Sequence, residues 1–187
     1  MKLLIGLGNP GKRYAATRHN VGFRVIDELA GRFSVGKARS KFESEVTEAT
    51  WGGVQALLLK PQTYMNRSGT SVLAARDFYK LDLKDLLIIC DDFNLPLAKL
   101  RIRLKGSSGG QKGLQDIIRC LGTDEVPRLR IGIGPPPPNW DVADYVLSRF
   151  SEDEQQPVTD AVRRAADATR VWSVSGIEVC MNQFNAD

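Results

Sequence analysis

Three scarcities limit what this sequence can be. It has three cysteines, Cys90, Cys120 and Cys180, widely separated and with no zinc-ligand spacing. No zinc centre is therefore expected. Cys90 ends an apolar run and Cys120 sits beside Leu121 on a helix-like stretch, so both are expected in the core. Unpaired thiols fit a reducing, cytoplasmic compartment. No apolar run approaches the roughly 20 residues that span a bilayer, so no membrane partner is expected. The opening Met1-Lys2-Leu3-Leu4-Ile5 meets Gly6, Gly8, Asn9 and Pro10 too soon for a signal peptide. Histidine is scarcest of all: His19 is the only one. Any chemistry that needs a histidine base must use it.

Acidic residues are missing from one stretch. Between Pro96 and Gln115 there is no Asp or Glu, while Lys99, Arg101, Arg103, Lys105 and Lys112 are present and Arg128 and Arg130 follow. A solvated face normally mixes signs, so this bias reads as a footprint for phosphates. The whole chain is only mildly basic, at +4 with 187 residues. That length suits one domain over residues 1–187, with a core that needs no disulfide or metal.

Periodicity predicts alternating strands and helices. Lys2 to Leu7 and Leu86 to Cys90 read as buried strands, the second a central one. Phe42 to Thr50 and Val54 to Lys60 read as a hairpin turning at Gly52-Gly53. Ala98 to Leu104 alternates, with Leu100, Ile102 and Leu104 on one face, and Leu129 to Ile133 is a further strand. Helices are predicted after a cap at Asn20, after Ser68 or Thr70, through Leu114 to Leu121, briefly within Asp141 to Phe150, and from the capping box Ser151 to Glu154. The expected fold is α/β, a single three-layer α/β/α domain around a mixed, mostly parallel twisted sheet.

Two glycine-rich segments imitate nucleotide motifs. Gly6-Leu7-Gly8-Asn9-Pro10-Gly11 matches the dinucleotide fingerprint, but no helix starts there to receive a pyrophosphate. Gly106 to Gly113 resembles a phosphate loop but has Gln111 and Gly113 where the Walker pattern needs glycine and Ser or Thr.

The residues that can carry chemistry cluster around His19, in a polar loop between a strand and a helix. A histidine base works best with a carboxylate that fixes its tautomer. Asp91 ends the predicted central strand, where open α/β sheets bind ligands, and Asp92 competes with it. Asn9 and Asn66 are candidate amides for orienting water or holding a carbonyl oxygen. Tyr14 and Tyr64 offer flat faces for a base or ribose.

Several of these motifs together, Gly6 to Gly11, Thr17-Arg18-His19-Asn20-Val21-Gly22, Lys60 to Gly69, Cys90-Asp91-Asp92 and Arg128 to Gly134, resemble the bacterial-type peptidyl-tRNA hydrolase family in order and spacing. The resemblance implies an esterase that frees tRNA from peptide in stalled or aborted translation. It also implies a monomer that works without cofactor or metal. Position by position it implies His19 as general base, Asp91 as its partner and Asn9 as a discriminator of peptidyl-tRNA from aminoacyl-tRNA. Tyr14, Tyr64, Met65 and Asn66 would meet the substrate, and Arg103 and Arg130 would grip the tRNA 5′-phosphate. The family usually has His-Asn where this chain has Gln111-Lys112, so Lys112 puts an ammonium where an amide would contact substrate. Relatives that serve in RNA splicing make a non-catalytic RNA-binding protein the alternative.

Overall fold

The computed structural model describes residues 1–185. Seven strands form one sheet in the order β2-β3-β4-β1-β5-β7-β6. They are β1 Lys2–Gly6, β2 Arg39–Lys41, β3 Ser44–Trp51, β4 Val54–Pro61, β5 Leu86–Asp92, β6 Leu100–Arg103 and β7 Arg128–Gly132. The four central strands, β4, β1, β5 and β7, are parallel, and β3 and β6 run against their neighbours. The helices are α1 Val21–Phe33, α2 Ser68–Tyr79, α3 Lys112–Leu121, α4 Val142–Val146, α5 Glu152–Ser175 and α6 Ile177–Phe184.

Period-two alternation divides the sheet's side chains between two cores. Leu3, Ile5, Leu57, Leu59, Leu86, Ile88 and Cys90 pack with Val72 and Ala75 of α2 and with Leu114 and Ile117 of α3. Leu4, Leu58, Leu87, Ile89 and Ile131 pack with Val25 and Leu29 of α1 and with the Val158 to Trp172 stripe of α5. This is the expected three-layer arrangement around a mixed sheet.

Local differences have local causes. Asn20 precedes α1, but its side chain makes no capping bond there. It bonds instead to both backbone groups of Asn9, each at 2.9 Å. The hairpin strand begins at Ser44, because Phe42 and Glu43 adopt left-handed φ values of 56° and 51° to turn from β2. Leu104 is exposed, since β6 ends at Arg103 before the residue that would continue the buried face. Cys120 is only half-buried, against Gly69 at the start of α2. The three-residue β2 and the final helix α6 carry too little pattern to be predicted from sequence. Of the expected domain, residues 186 and 187 lie outside the described residues.

The topology makes a crevice. After β1 the chain leads through α1 toward β4, and after β5 it leads toward β7 on the opposite side. The carboxyl ends of β1 and β5 therefore flank a switch point, the usual binding crevice of an open α/β sheet. Gly22 lets α1 settle directly on it. A Cβ there would lie 2.4 Å from the Ile89 carbonyl oxygen, so only glycine allows this approach.

Candidate active site

Alternation along β5 settles which aspartate meets His19. Asp91 continues the face of Leu87 and Ile89, toward the α1 layer, whereas Asp92 continues the face of Ile88 and Cys90. His19 lies on a single helical turn, Arg18–Asn20, just before α1. Its Nδ1 is 2.9 Å from Asp91 Oδ1 and 2.8 Å from Oδ2. Both side chains are buried. A carboxylate can only accept here, so Nδ1 carries the proton and Nε2 is the basic nitrogen. Asp92 pairs instead with Arg130 Nη1 at 3.1 Å.

The turn that presents His19 is clamped from behind. Its neighbour Arg18 is buried, with Nη2 2.7 Å from Glu154 of α5. The guanidinium also lies 4.6 Å from the Tyr145 ring and 4.8 Å from the Phe150 ring. Burial alone raises the Glu154 carboxyl, but hydrogen bonds from Arg18 and the Ser151 N–H outweigh it and hold the group below its ordinary value. The Ser151 N–H donates to Glu154 at 2.8 Å, the capping-box contact expected at the start of α5.

A cavity of about 400 Å³ opens above His19. His19, Asp91, Asn9, Tyr64, Met65, Asn66 and Lys112 all line it, as the sequence suggested. Asn9 has a fixed orientation: its Oδ1 accepts the Met65 N–H at 2.8 Å. Its Nδ2 therefore remains as the donor end. Asn66 and Lys112 are exposed on the wall, and Tyr64 is exposed at the rim.

Three expected residues stand apart from this cavity. Tyr14 is absent from its lining and packs under Arg13, 4.5 Å from ring centroid to guanidinium. Arg103 lies exposed on edge strand β6. Arg130 is turned inward, with only 11 % of its side chain exposed, and donates to the Ser107 carbonyl at 2.6 Å as well as to Asp92. Arg128, part of the basic footprint, is buried and donates to the carbonyls of Val126, Gly106 and Asp124. Burial, and then the like charge of Arg130, lower its pKa. A guanidinium stays charged regardless, so Arg128 holds the glycine-rich loop in place.

Two contributors escaped the sequence reading. The apolar wall comes from Phe93 and from Val142, Ala143, Val146 and Leu147 on and beside α4. Its signal was the Asp141 cap followed by apolar residues one turn apart. The second is Gln111. It is buried, and its Nε2 donates to Asp91 Oδ1 at 3.0 Å.

Among the described residues no group of three or more His, Cys, Asp or Glu is placed to hold a metal ion. None of their helices is long and apolar enough to cross a membrane. Burial pushes the Cys90 thiol up to about 12, which removes it as a nucleophile at neutral pH.

Comparison with known proteins shows the family. The family model for peptidyl-tRNA hydrolase matches residues 3–187. The peptidyl-tRNA hydrolase of Rhodopirellula baltica is 50 % identical over 186 residues, covering 100 % of this chain and 98 % of its own. That of Chloroflexus aggregans is 49 % identical, covering 99 % of each chain. The crystal structure of peptidyl-tRNA hydrolase from Acinetobacter baumannii superposes with a TM-score of 0.92 at 35 % identity, covering 100 % of this chain and 95 % of that one. The chain belongs to the peptidyl-tRNA hydrolase family.

Proposed function

We propose that this chain hydrolyses the ester between a peptide and the 3′ ribose of tRNA, with His19 as general base. The observation that carries this reading is the His19 Nδ1 clasped by both Asp91 oxygens, at 2.9 and 2.8 Å, beneath an open cavity. That contact leaves Nε2 free to take a proton from water as the water attacks the ester carbonyl. Asp91 stabilises the imidazolium that forms. Asn9 Nδ2, Asn66 and Lys112 supply donors for the developing oxyanion. Collapse expels the ribose oxygen, which takes the proton from His19, and leaves a peptide carboxylic acid that ionises by losing its proton to water. An ester has a good enough leaving group that no covalent enzyme intermediate is needed.

Asn9 also supports selection of the blocked amine. With its Oδ1 committed to the Met65 N–H, it presents donors only. A peptidyl group offers a carbonyl oxygen beyond its first residue, whereas a free aminoacyl group offers an ammonium, which has nothing to accept with. Phe93, Val146 and Leu147 give the acyl side chains an apolar wall. Tyr64 at the rim meets the 3′ end, and Tyr14 does so further out. Arg103 grips the tRNA 5′-phosphate. Arg130, paired with Asp92, reaches the phosphate only alongside it. In this reading residues 1–187 act as one cytoplasmic domain and as a monomer, without metal or cofactor.

The test is release of tRNA from an N-blocked aminoacyl-tRNA in EDTA, beside a His19→Ala variant. Turnover reduced by about 10²- to 10⁴-fold in the variant supports the mechanism. Turnover that survives the substitution refutes the role of His19. Salt-sensitive tRNA binding without turnover would restore the RNA-binding alternative.

A further inference from the structure

Asp91 has a second donor whose direction is fixed. The Gln111 Oε1 accepts the Leu114 N–H at 2.7 Å, capping α3. A backbone N–H cannot reverse its polarity, so Oε1 must face it and Nε2 must face Asp91. A flipped amide would set donor against donor at Leu114 and oxygen against carboxylate at Asp91. The side chain is also confined. Gln111 is 5 % exposed and its Nε2 lies 3.3 Å from Met65 Sδ. The first turn of α3 lies close against Met65, where a Cβ on Gly113 would be 2.5 Å from Sδ.

His19 alone does not fix the carboxylate. Its single N–H is shared almost equally between the two Asp91 oxygens, at 2.9 and 2.8 Å. The Gln111 contact at 3.0 Å falls on Oδ1 only. We propose that Gln111 is a positioning residue for the hydrolysis. Its Nε2–H tethers Asp91 Oδ1, so that the carboxylate keeps His19 in the tautomer whose Nε2 is basic. This rests on the reading of His19 as the base. It gives the pair Gln111-Lys112 divided roles: Gln111 faces inward to the carboxylate, and Lys112 faces the cavity.

The test compares Gln111→Glu and Gln111→Met in the full chain on N-blocked aminoacyl-tRNA. Glutamate keeps the length and the acceptor for Leu114 but replaces the donor with a repelling oxygen. Methionine keeps the length and loses both contacts. Gln111→Glu is expected to lower kcat about 10- to 100-fold, with KM within about threefold. Two carboxyls sharing a site hold a proton more readily than one. Once protonated, the introduced carboxyl can donate to Asp91 again. The ratio of kcat in Gln111→Glu to wild type should therefore rise as pH falls from about 8 to about 6. His19, Asp91, Lys112 and Asp141 line the same cavity, with Asp92 and Arg130 behind; all are common to both proteins, but the added carboxylate also favours the charged imidazole, so the ratio is read above the pH at which either protein loses activity on its acidic limb. Wild-type kcat in Gln111→Glu, or a loss that follows Tm and leaves the ratio flat with pH, overturns the proposal. His19→Ala separates the two ideas: if it retains turnover, the base assignment fails. If it abolishes turnover while Gln111→Glu keeps wild-type kcat, only the role of Gln111 fails.

Discussion

Replacing Asp91 with asparagine is the sharpest perturbation of the base, because it changes charge and donor pattern with almost no change in shape. Consider the two ways the amide can sit. With its oxygen at the Oδ1 position it still accepts from Gln111 Nε2, whose contact there is 3.0 Å. Its NH₂ then occupies the Oδ2 position, 2.8 Å from His19 Nδ1. The reverse orientation lets the oxygen accept from His19 Nδ1 but sets the NH₂ against the Gln111 donor, whose direction is fixed by Leu114, so the first is preferred. In it His19 Nδ1 meets an NH₂ at 2.8 Å beside the remaining oxygen at 2.9 Å, so the tautomer with its proton on Nε2, a donor rather than a base, is no longer disfavoured, and the imidazolium loses its counter-charge. The fold has no reason to suffer, since the Gln111 bond survives. The expected result is a fall in kcat of about 10²- to 10⁴-fold, or roughly 3–5 kcal/mol of transition-state stabilisation. KM and Tm should stay near wild type. The assay is single-turnover release of tRNA from N-blocked aminoacyl-tRNA, beside His19→Ala and the double variant. The double variant should be no slower than His19→Ala, because two residues acting as one unit are not additive. A kcat within threefold of wild type, or full additivity of the two losses, would refute the pairing of base and carboxylate.

Two further outcomes test the surroundings. Glu154 is held below its ordinary carboxyl value of 4.5, so the stability it contributes is present above that pH and disappears as pH falls through its lower folded value. Glu154→Gln should cost about 1–2 kcal/mol of unfolding free energy at neutral pH, and urea titrations should show the gap from wild type closing below about pH 4.5; a constant gap contradicts the Arg18 contact. Arg103 and Arg128 should separate binding from folding. Arg103→Ala, on the exposed edge strand, should weaken tRNA binding and reduce the salt slope by nearly one unit. Arg128→Ala should instead lower unfolding free energy by about 2–4 kcal/mol, since it empties a buried site and takes the side-chain donor from the buried Val126 and half-buried Gly106 carbonyls.

How far the fold could be read from sequence followed the strength of each pattern. Leu86 to Cys90 is so uniformly apolar that only a strand covered on both faces can use it, and β5 is covered by α2 and α3 on one side and α1 on the other. The α5 stripe from Val158 to Trp172 repeats often enough to be unambiguous. By contrast, β2 is three exposed polar residues held by pairing with β3, a long-range contact that leaves no periodic trace. Leu104 marks the limit of alternation: the pattern continued one residue beyond the strand that justified it.

The basic stretch shows what charge counting leaves out. Charge counting treats every arginine alike, yet pairing β6 with β7 sets Arg103 opposite Arg128 and Arg101 opposite Arg130. Like charges side by side on one face must find separate partners. Arg128 turns to backbone carbonyls and Arg130 to Asp92 and Ser107, while Arg103 stays exposed. The same difference explains the site. Asp91 rather than Asp92 follows from alternation, once α1 is placed on the face of Leu87 and Ile89. Gln111 could not be placed so, because its role depends on a loop bringing α3 against a strand end 20 residues earlier. In sequence it stood out only as a broken Walker residue and as half of a departure from the family pattern. The departure drew attention to Lys112, whose charge is conspicuous. The uncharged neighbour is the one that touches the carboxylate, because an amide can cap a helix with one end and tether an anion with the other.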